Sequence, residues 1–545
     1  MSPLRSDHIA RNQTRFLEAV NRFNRSMDSG PAGIFAGLFA FAWLRQEIHP
    51  EYRRDILAIS RNPEHAWLTD LLARSENPEQ FVSGFFHHWH HNAPDHPKTE
   101  ALRAWNLQHP RHPHTAILTA WQQMTPFSGT LQEEVRRLQR QQKEIALEVG
   151  NALDRQRMAL VDALPTPKTL PPWPKAGFIP RMACSQSCRH CMFIWRDPMK
   201  QSLDPTPLFQ WIDGQTRSIL FTGGELHNQL PLFHQAIREM RRVKSFAILL
   251  NGASASSPEE ATRIFAALEE ARTHRPRHAV PAEIVLQISF DEFHQEILAN
   301  RDGSLRERIP VAHIAHLILA SVSFPRIRLV LLHKQNRLNF SRSLLEQGVV
   351  ARLIRELRER GESLQPVRYA LSPRLKSDPV HADRSSPVIR DALFALASHP
   401  DHPIHFMSST IDAYGRAALL DPSEYLHERA LLRTLLDRSA PLEERFDTDP
   451  MIRGDGVVTC FAASHLWLGD LREESRQTIQ ARLVKDPLLR ALERFDLRVL
   501  RFYQEIAQDL ERQVEQATGP HHLFHRLTER AEMRLHLTQR VLAER

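Results

Sequence analysis

Three of the chain's four cysteines fall within eight residues, as Cys184-Ser185-Gln186-Ser187-Cys188-Arg189-His190-Cys191. The spacing is C-x3-C-x2-C. Three thiolates on one tight loop can hold three corners of a cubane iron–sulfur cluster. The fourth iron then lacks a protein ligand and can bind a small molecule through an amino group and a carboxylate. Zinc is the chief competitor, but structural zinc takes four ligands, usually in two pairs. His190 completes such a set only awkwardly from inside the loop. Buried structural thiols are the remaining reading.

Other groups with chemical capacity sit at the ends of short apolar runs. Gly223-Gly224-Glu225 follows Ser218–Thr222. Two glycines let a backbone approach a ligand closely, and a carboxylate suits an ammonium; a plain turn explains them equally well. Asn251-Gly252 follows Ser245–Leu250, where a turn is again the alternative. Ser289-Phe290-Asp291 closes the run Ile284–Ile288, with a helix N-cap by Asp291 as its plainer reading. His294 lies one helical turn beyond Asp291, either as a proton-transfer residue or as a surface histidine. His87, His88, His90 and His91 surround Trp89. His87 and His91 are spaced to share one metal, but no neighbouring Glu or Cys completes a set and Pro94 soon follows. They read as an aromatic patch.

The elements that must position these groups divide the chain. Residues 1–164 have helical period almost throughout, and Leu131, Val135, Leu138, Ile145 and Val149 mark one long amphipathic helix. Six prolines between Pro165 and Pro180 then make an extended connector, bounded at 165–176. Over 177–375 short β-rich runs alternate with helical segments. Strands are predicted at Gly177–Ala183, Ser218–Thr222, Ser245–Leu250, Ile284–Phe290, Arg326–His333 and Pro366–Leu371. Helices are predicted between them at Gln229–Arg242, Pro258–Arg272 and Ser341–Arg360. This alternation predicts an α/β fold, an open parallel (β/α)6 sheet with its site at the C-terminal strand ends. Residues 376–485 are mixed, with hairpins expected over Phe406–Ala418 and Arg453–Cys460 around Gly415 and Gly456. A helical tail follows over 486–545, with helices at Leu488–Glu515 and His521–Glu544 after one at Glu473–Val484.

Composition narrows the class. Hydrophobic residues make up 42 % and charged residues 25 % of 545, which is globular and excludes collagen-like or bulk-disordered chains. A net charge of +7 without a long Lys/Arg block gives no nucleic-acid signature. The longest apolar run, Pro31–Leu44, is too short to cross a bilayer of ~30 Å as a helix. Met1–Leu17 is polar, unlike a signal peptide. A soluble cytoplasmic protein with reduced thiols is the expectation.

The cysteine motif after the first strand of a (β/α)6 pattern resembles the radical S-adenosylmethionine (radical SAM) superfamily, over about Pro174–Pro373. That resemblance implies a [4Fe-4S] cluster on Cys184, Cys188 and Cys191, with SAM on the open iron. It implies SAM contacts at Gly223, Gly224 and Glu225, which resemble the family's GGE motif, at Asn251, and at Ser289 and Asp291. Asn336 matches an asparagine often found after the fifth strand. One electron from the cluster would cleave SAM to a 5′-deoxyadenosyl radical that abstracts hydrogen from substrate. The electron would come from a donor such as flavodoxin or ferredoxin.

Gly454-Asp455-Gly456-Val457-Val458-Thr459-Cys460 with Leu468-Gly469-Asp470-Leu471 resembles the start of a SPASM-type auxiliary domain. Such domains bind further clusters through several cysteines, and one thiol, Cys460, cannot hold one. The expectation is the shape without the metal, with Cys460 in the pocket wall or the core. The echo favours a peptide or peptide-derived natural product as substrate. A small metabolite is the alternative, and a catalytically silent interaction protein is the reading from another class.

Overall fold

The computed structural model describes residues 149–544, apart from 187, 189, 193–198, 200, 292, 296, 300–304, 336–347, 373–387, 412, 421–426, 439–441 and 443–444. The amphipathic helix from Leu131, the histidines from His87 to His91, and Asn336 lie outside the described residues; of the expected 1–164 domain only 149–164 lie within.

Asn151 begins the described fold by accepting the Asp154 N–H at 2.9 Å, which caps helix α1 (Ala152–Asp162). No helix or strand follows until β1 (Ala176–Ile179), as the prolines of the connector require. The next elements are α2 (Pro205–Asp213), β2 (Ser218–Phe221), α3 (Leu230–Glu239), β3 (Ser245–Leu250), α4 (Pro258–Thr273) and β4 (Glu283–Ser289). A small hairpin, β5 (Ile297–Ala299) with β6 (Leu305–Glu307), precedes α5 (Val311–Ser321), β7 (Ile327–Gln335), α6 (Gly348–Glu359) and β8 (Leu364–Ser372). Then come β9 (Val388–Leu396), β10 (His399–Thr410), α7 (Arg429–Leu436), β11 (Pro450–Arg453), β12 (Val457–Cys460) and β13 (Gly469–Asp470). Six helices end the chain: α8 (Arg476–Lys485), α9 (Pro487–Glu493), α10 (Arg498–Gln504), α11 (Leu510–Gln516), α12 (Pro520–Leu527) and α13 (Ala531–Ala543).

Eleven strands form one mixed sheet, in the order β13-β12-β11-β1-β2-β3-β4-β7-β10-β9-β8. The sheet is not closed; β13 and β8 are its edges. Its middle, from β11 to β10, is parallel throughout. Antiparallel strands flank that run on both sides. Parallel strands need cover on both faces. One face is covered by the apolar sides of helices such as α3, through Phe233, Ala236 and Ile237, and α4, through Ile264, Phe265 and Leu268.

Five of the six expected parallel strands stand where the sequence puts them. The sixth does not. Pro366–Leu371 lies in β8 at the edge, and β10 takes the place beside β7. The reason is in Pro366, which has no N–H for a central ladder and sits at a register shift between Pro366 and Arg368. In β10, Ile404 and Phe406 are fully buried. The Arg453–Cys460 hairpin is formed, as β11 and β12. The Phe406–Ala418 hairpin is not: β10 turns back on β9 before it, and Gly415 opens a 3-10 turn instead. The tail helices are broken where long ones were expected. Phe495 adopts a left-handed backbone (φ 49°) between α9 and α10, and Arg530 is extended ahead of α13.

Pairings across some 300 residues tie the two ends of the described chain together. Arg157 of α1 bonds the Asp486 carboxylate, and both side chains are fully buried. Arg534 of α13 meets Asp154 of α1 at 2.8 Å, again fully buried. Such pairs hold geometry strongly once formed, because either charge alone would be stranded. Helix α1 is thereby part of the C-terminal helical layer.

One strand entrance carries a testable strain. Asp449 precedes β11, and burial with the neighbouring Asp447 pushes its carboxyl up to about 6, against the pull of Lys175. The folded state therefore holds this proton more tightly than the unfolded chain. Its stabilising contribution is full below pH ~3.9 and is lost as pH rises through about 6. Asp449→Asn should raise stability at pH 7.5 by about 1 kcal/mol, after allowing for partial exposure, and by less at pH 4.5. Thermal melts at the two pH values check this; an equal shift at both would refute it.

Candidate functional site

The C-terminal ends of the parallel strands converge on one cavity of about 150 Å³. β1 runs into the cysteine loop, and Cys184, Cys188 and Cys191 all line the cavity. β2 contributes Gly223 and Gly224, β3 contributes Asn251, and β4 contributes Ser289 and Asp291. β7 adds Lys334, and the segment after β10 adds Arg416. Cys184, Cys188, Cys191, Gly223, Gly224, Asn251, Ser289 and Asp291 are therefore brought together, while Glu225 does not line the space.

Backbone pairing holds the cysteine loop in place. Gly224 N–H donates to the Arg181 carbonyl at 2.8 Å, and Glu225 N–H to the Ala183 carbonyl at 3.0 Å. Gly223 has φ +132°, and a Cβ there would come within 2.6 Å of the Arg181 oxygen. A Cβ on Gly224 would overlap the Ala183 carbonyl and lie 2.7 Å from the Met182 carbonyl carbon. The glycine pair thus allows the β2 end to lie against the loop that carries Cys184. Both glycines line the cavity, and the pair seats the loop. Gly415 does the same from the far side: Arg416 N–H donates to the Cys191 carbonyl at 2.9 Å, and a Cβ on Gly415 would lie 2.6 Å from the Met192 carbonyl carbon.

Glu225 is turned inward. One oxygen accepts the His227 N–H at 3.1 Å, and the other meets the Asn251 amide. Burial raises its carboxyl pKa despite these bonds. Asn251 stands between this carboxylate and the cavity wall, and its own carbonyl oxygen accepts the Ala253 N–H at 2.9 Å.

The thiols are unequal. Burial, then the neighbouring Cys188, pushes the Cys184 thiol up to about 12, against an N–H from Gln186 that reaches its sulfur at 3.3 Å. A thiol so placed stays protonated unless a metal draws the proton off. Burial also pushes Cys188 up, but the nearby His294, with Arg308 and Arg416, outweighs this and holds it below the ordinary value.

His294 belongs to a compact polar group. Asp291 is 1 % exposed. Its Oδ1 accepts the backbone N–H groups of Phe293 at 3.0 Å and His294 at 2.9 Å. His294 Nδ1 lies 3.0 Å from both carboxylate oxygens, and His190 Nε2 lies 3.3 Å from Oδ2. Burial pushes Asp291 up, yet the two imidazoles hold it well below the usual range. Burial pushes His294 down, yet Asp291 and Cys188 hold it well above. Burial dominates for His190, whose pKa falls. His190, Asp291 and His294 offer ligand atoms within 4.8 Å of one another, so this group could itself hold a metal ion. The helix N-cap expected as the plainer reading of Asp291 is not formed: residues 293–295 are a turn ahead of β5, in which Asp291 Oδ1 accepts two backbone N–H groups while the carboxylate meets both histidines.

Lys334 and Arg416 were not singled out from sequence. Lys334 follows directly on the predicted fifth strand, so the strand-end rule that selected Asn251 also reaches it. Arg416 carries no such signal, because its strand, β10, was not foreseen.

Cys460 is placed apart. It pairs with Pro450, at the start of β11, whereas Arg453 at the other end pairs with Ile179 beside the cysteine loop. The thiol is fully buried in the main core, at the opposite end of the parallel run from the cavity. The expectation of Cys460 in a pocket wall gives way to the core reading. Cys460→Ala should cost about 1 kcal/mol of stability through the small void it leaves. A thermal melt checks this, and an unchanged midpoint would contradict it.

Among the described residues no helix is long and apolar enough to cross a membrane. No protein-family model and no curated protein matches the chain.

Proposed function

We propose that this chain is a radical SAM enzyme, its parallel run a partial barrel, with Cys184, Cys188 and Cys191 holding a [4Fe-4S] cluster. One observation carries the reading: three thiols on the loop after β1 line one cavity at the C-terminal strand ends, beside Gly223 and Gly224. The donor set fits the group. The three thiols share one small space, an N–H already reaches Cys184 sulfur, and the cations Lys334 and Arg416 line the same walls. When bound, such a cluster supplies the electron that cleaves SAM to a 5′-deoxyadenosyl radical able to abstract hydrogen.

The chain's own residues bind, orient and exclude water. Asn251 and Ser289 offer polar contacts at the cavity wall, for the ammonium or ribose of SAM. Lys334 and Arg416 suit its carboxylate. Leu249, Leu250 and Leu332 supply the apolar part of the lining, which protects a radical from solvent. The substrate class remains a peptide or peptide-derived natural product, with a small metabolite as the alternative; a flavodoxin- or ferredoxin-like protein is the electron donor that suits it. Anaerobically reconstituted protein should be brown, with about four irons and four sulfides per chain. A triple Cys→Ala variant should be colourless.

A second reading rests on the His190–Asp291–His294 group. Its ligand atoms lie within 4.8 Å of one another and would suit part of a zinc site. Colourless protein holding one zinc per chain after anaerobic purification would put this reading first.

A further inference from the structure

We propose that His190, Asp291 and His294 form a cation site of their own, which holds one zinc-type divalent ion without help from the three thiols and leaves the ion an open position toward the cavity. An oxygen donor of the substrate, a carboxylate or a carbonyl, would fill that position. The site stands beside a cluster as well as without one, so the inference does not rest on the cysteines as iron ligands. Spacing carries the argument. Two ligands on one tetrahedral zinc, each ~2.0–2.1 Å from it, stand ~3.3–3.4 Å apart. His190 Nε2 lies 3.3 Å from Asp291 Oδ2, and His294 Nδ1 lies 3.0 Å from the same oxygen. All three ligand atoms fall within 4.8 Å of one another. Two imidazoles and one carboxylate are therefore already at ligand distance, and all three residues line the cavity. Three protein ligands with a fourth position open is the donor count of a reactive metal site, not of a closed structural one.

The surroundings hold these donors and leave the metal-facing oxygen for them. Asp291 Oδ1 takes the backbone N–H groups of Phe293 and His294, so Oδ2 is the oxygen that both rings address without a backbone donor. The Asp291 N–H donates to Gln295 Oε1 at 2.8 Å, and the Gln295 carbonyl accepts from Arg352 at 2.7 Å. His190 is 7 % exposed, and its Nδ1 has no hydrogen-bond partner among the described residues. Its polar contact is the one at Nε2, toward Asp291. The ring is kept there by stacking on Phe293 at 4.4 Å, and it meets His294 edge-on at 4.9 Å. Such supporting contacts orient first ligands and are part of how a metal site is built. A carboxylate 1 % exposed also calls for positive charge beside it, which a dication on Oδ2 supplies.

The test loads the full-length triple Cys→Ala protein with zinc(II), removes free metal by gel filtration and counts what stays bound. About one zinc per chain is expected, and almost none once His294→Phe is added. Cobalt(II) serves as the second probe. Its visible absorbance in the triple variant should be that of nitrogen and oxygen ligands, and added acetate should shift it by occupying the open position. A folded triple variant that holds no zinc would overturn the proposal, as would equal zinc after His294→Phe. A cobalt spectrum unmoved by acetate would overturn the open position. If the triple variant does not fold, iron and zinc are counted on wild type and on His294→Phe. Zinc in wild type alone, at equal iron, supports the site; zinc in both or in neither overturns it. Wild type that binds zinc but assembles no cluster would count against the cluster reading and leave this site standing.

Discussion

If wild type takes up the proposed cluster, Cys188→Ala protein reconstituted anaerobically with iron and sulfide is expected to hold almost none of the roughly four irons per chain. Its brown absorbance and its formation of 5′-deoxyadenosine from SAM should vanish together. Cys188 is the middle thiol of the loop and the most deeply placed, 5 % exposed. Two thiols cannot hold a cubane cluster on this loop. The substitution also leaves His294 facing an empty site beside the buried Asp291 carboxylate. Retention of wild-type iron in this variant would remove Cys188 from the ligand set.

Gly224→Val should give the second large effect, and on more than SAM binding. From the motif alone, a side chain here is expected to obstruct SAM and leave the cluster intact. The geometry changes that expectation. The Cβ would overlap the Ala183 carbonyl, one residue before Cys184, and would disturb the bond from Gly224 N–H to Arg181. Relief requires the cysteine loop to shift. We expect a loss of about 1–3 kcal/mol in stability, with a fall in bound iron as well as in deoxyadenosine. Iron assay and thermal melt on the same preparation decide the matter. Wild-type iron with lost SAM cleavage would restore the ligand-approach role of Gly224.

What could be read from the sequence was local. Ser245–Leu250 and Ile284–Phe290 are apolar runs of strand length between helical segments, and they appear as β3 and β4 almost as drawn. The site residues were found because strand ends, not strand interiors, carry polar groups in such folds, and Ser289 and Asp291 follow that rule. What escaped was set by partners far away in the chain. Nothing near Pro366 says that β10 will take the sixth parallel place, because that choice depends on Ile404 and Phe406 outcompeting a proline-bearing strand for burial. The parallel pairing of β11 with β1 joins Met451 to Gly177, a contact no periodicity reveals. The His190–Asp291–His294 group was half visible. Asp291 to His294 is a three-residue step, but the loop's approach to it depends on Gly223, Gly224 and Gly415 seating the backbone from two sides.

The most direct measurement of the central claim is the fate of SAM. Reconstituted wild-type protein, reduced anaerobically with dithionite and given SAM, should release 5′-deoxyadenosine and methionine, and the triple variant of Cys184, Cys188 and Cys191 to alanine should release neither. A colourless wild-type protein with one zinc per chain and intact SAM would contradict the account.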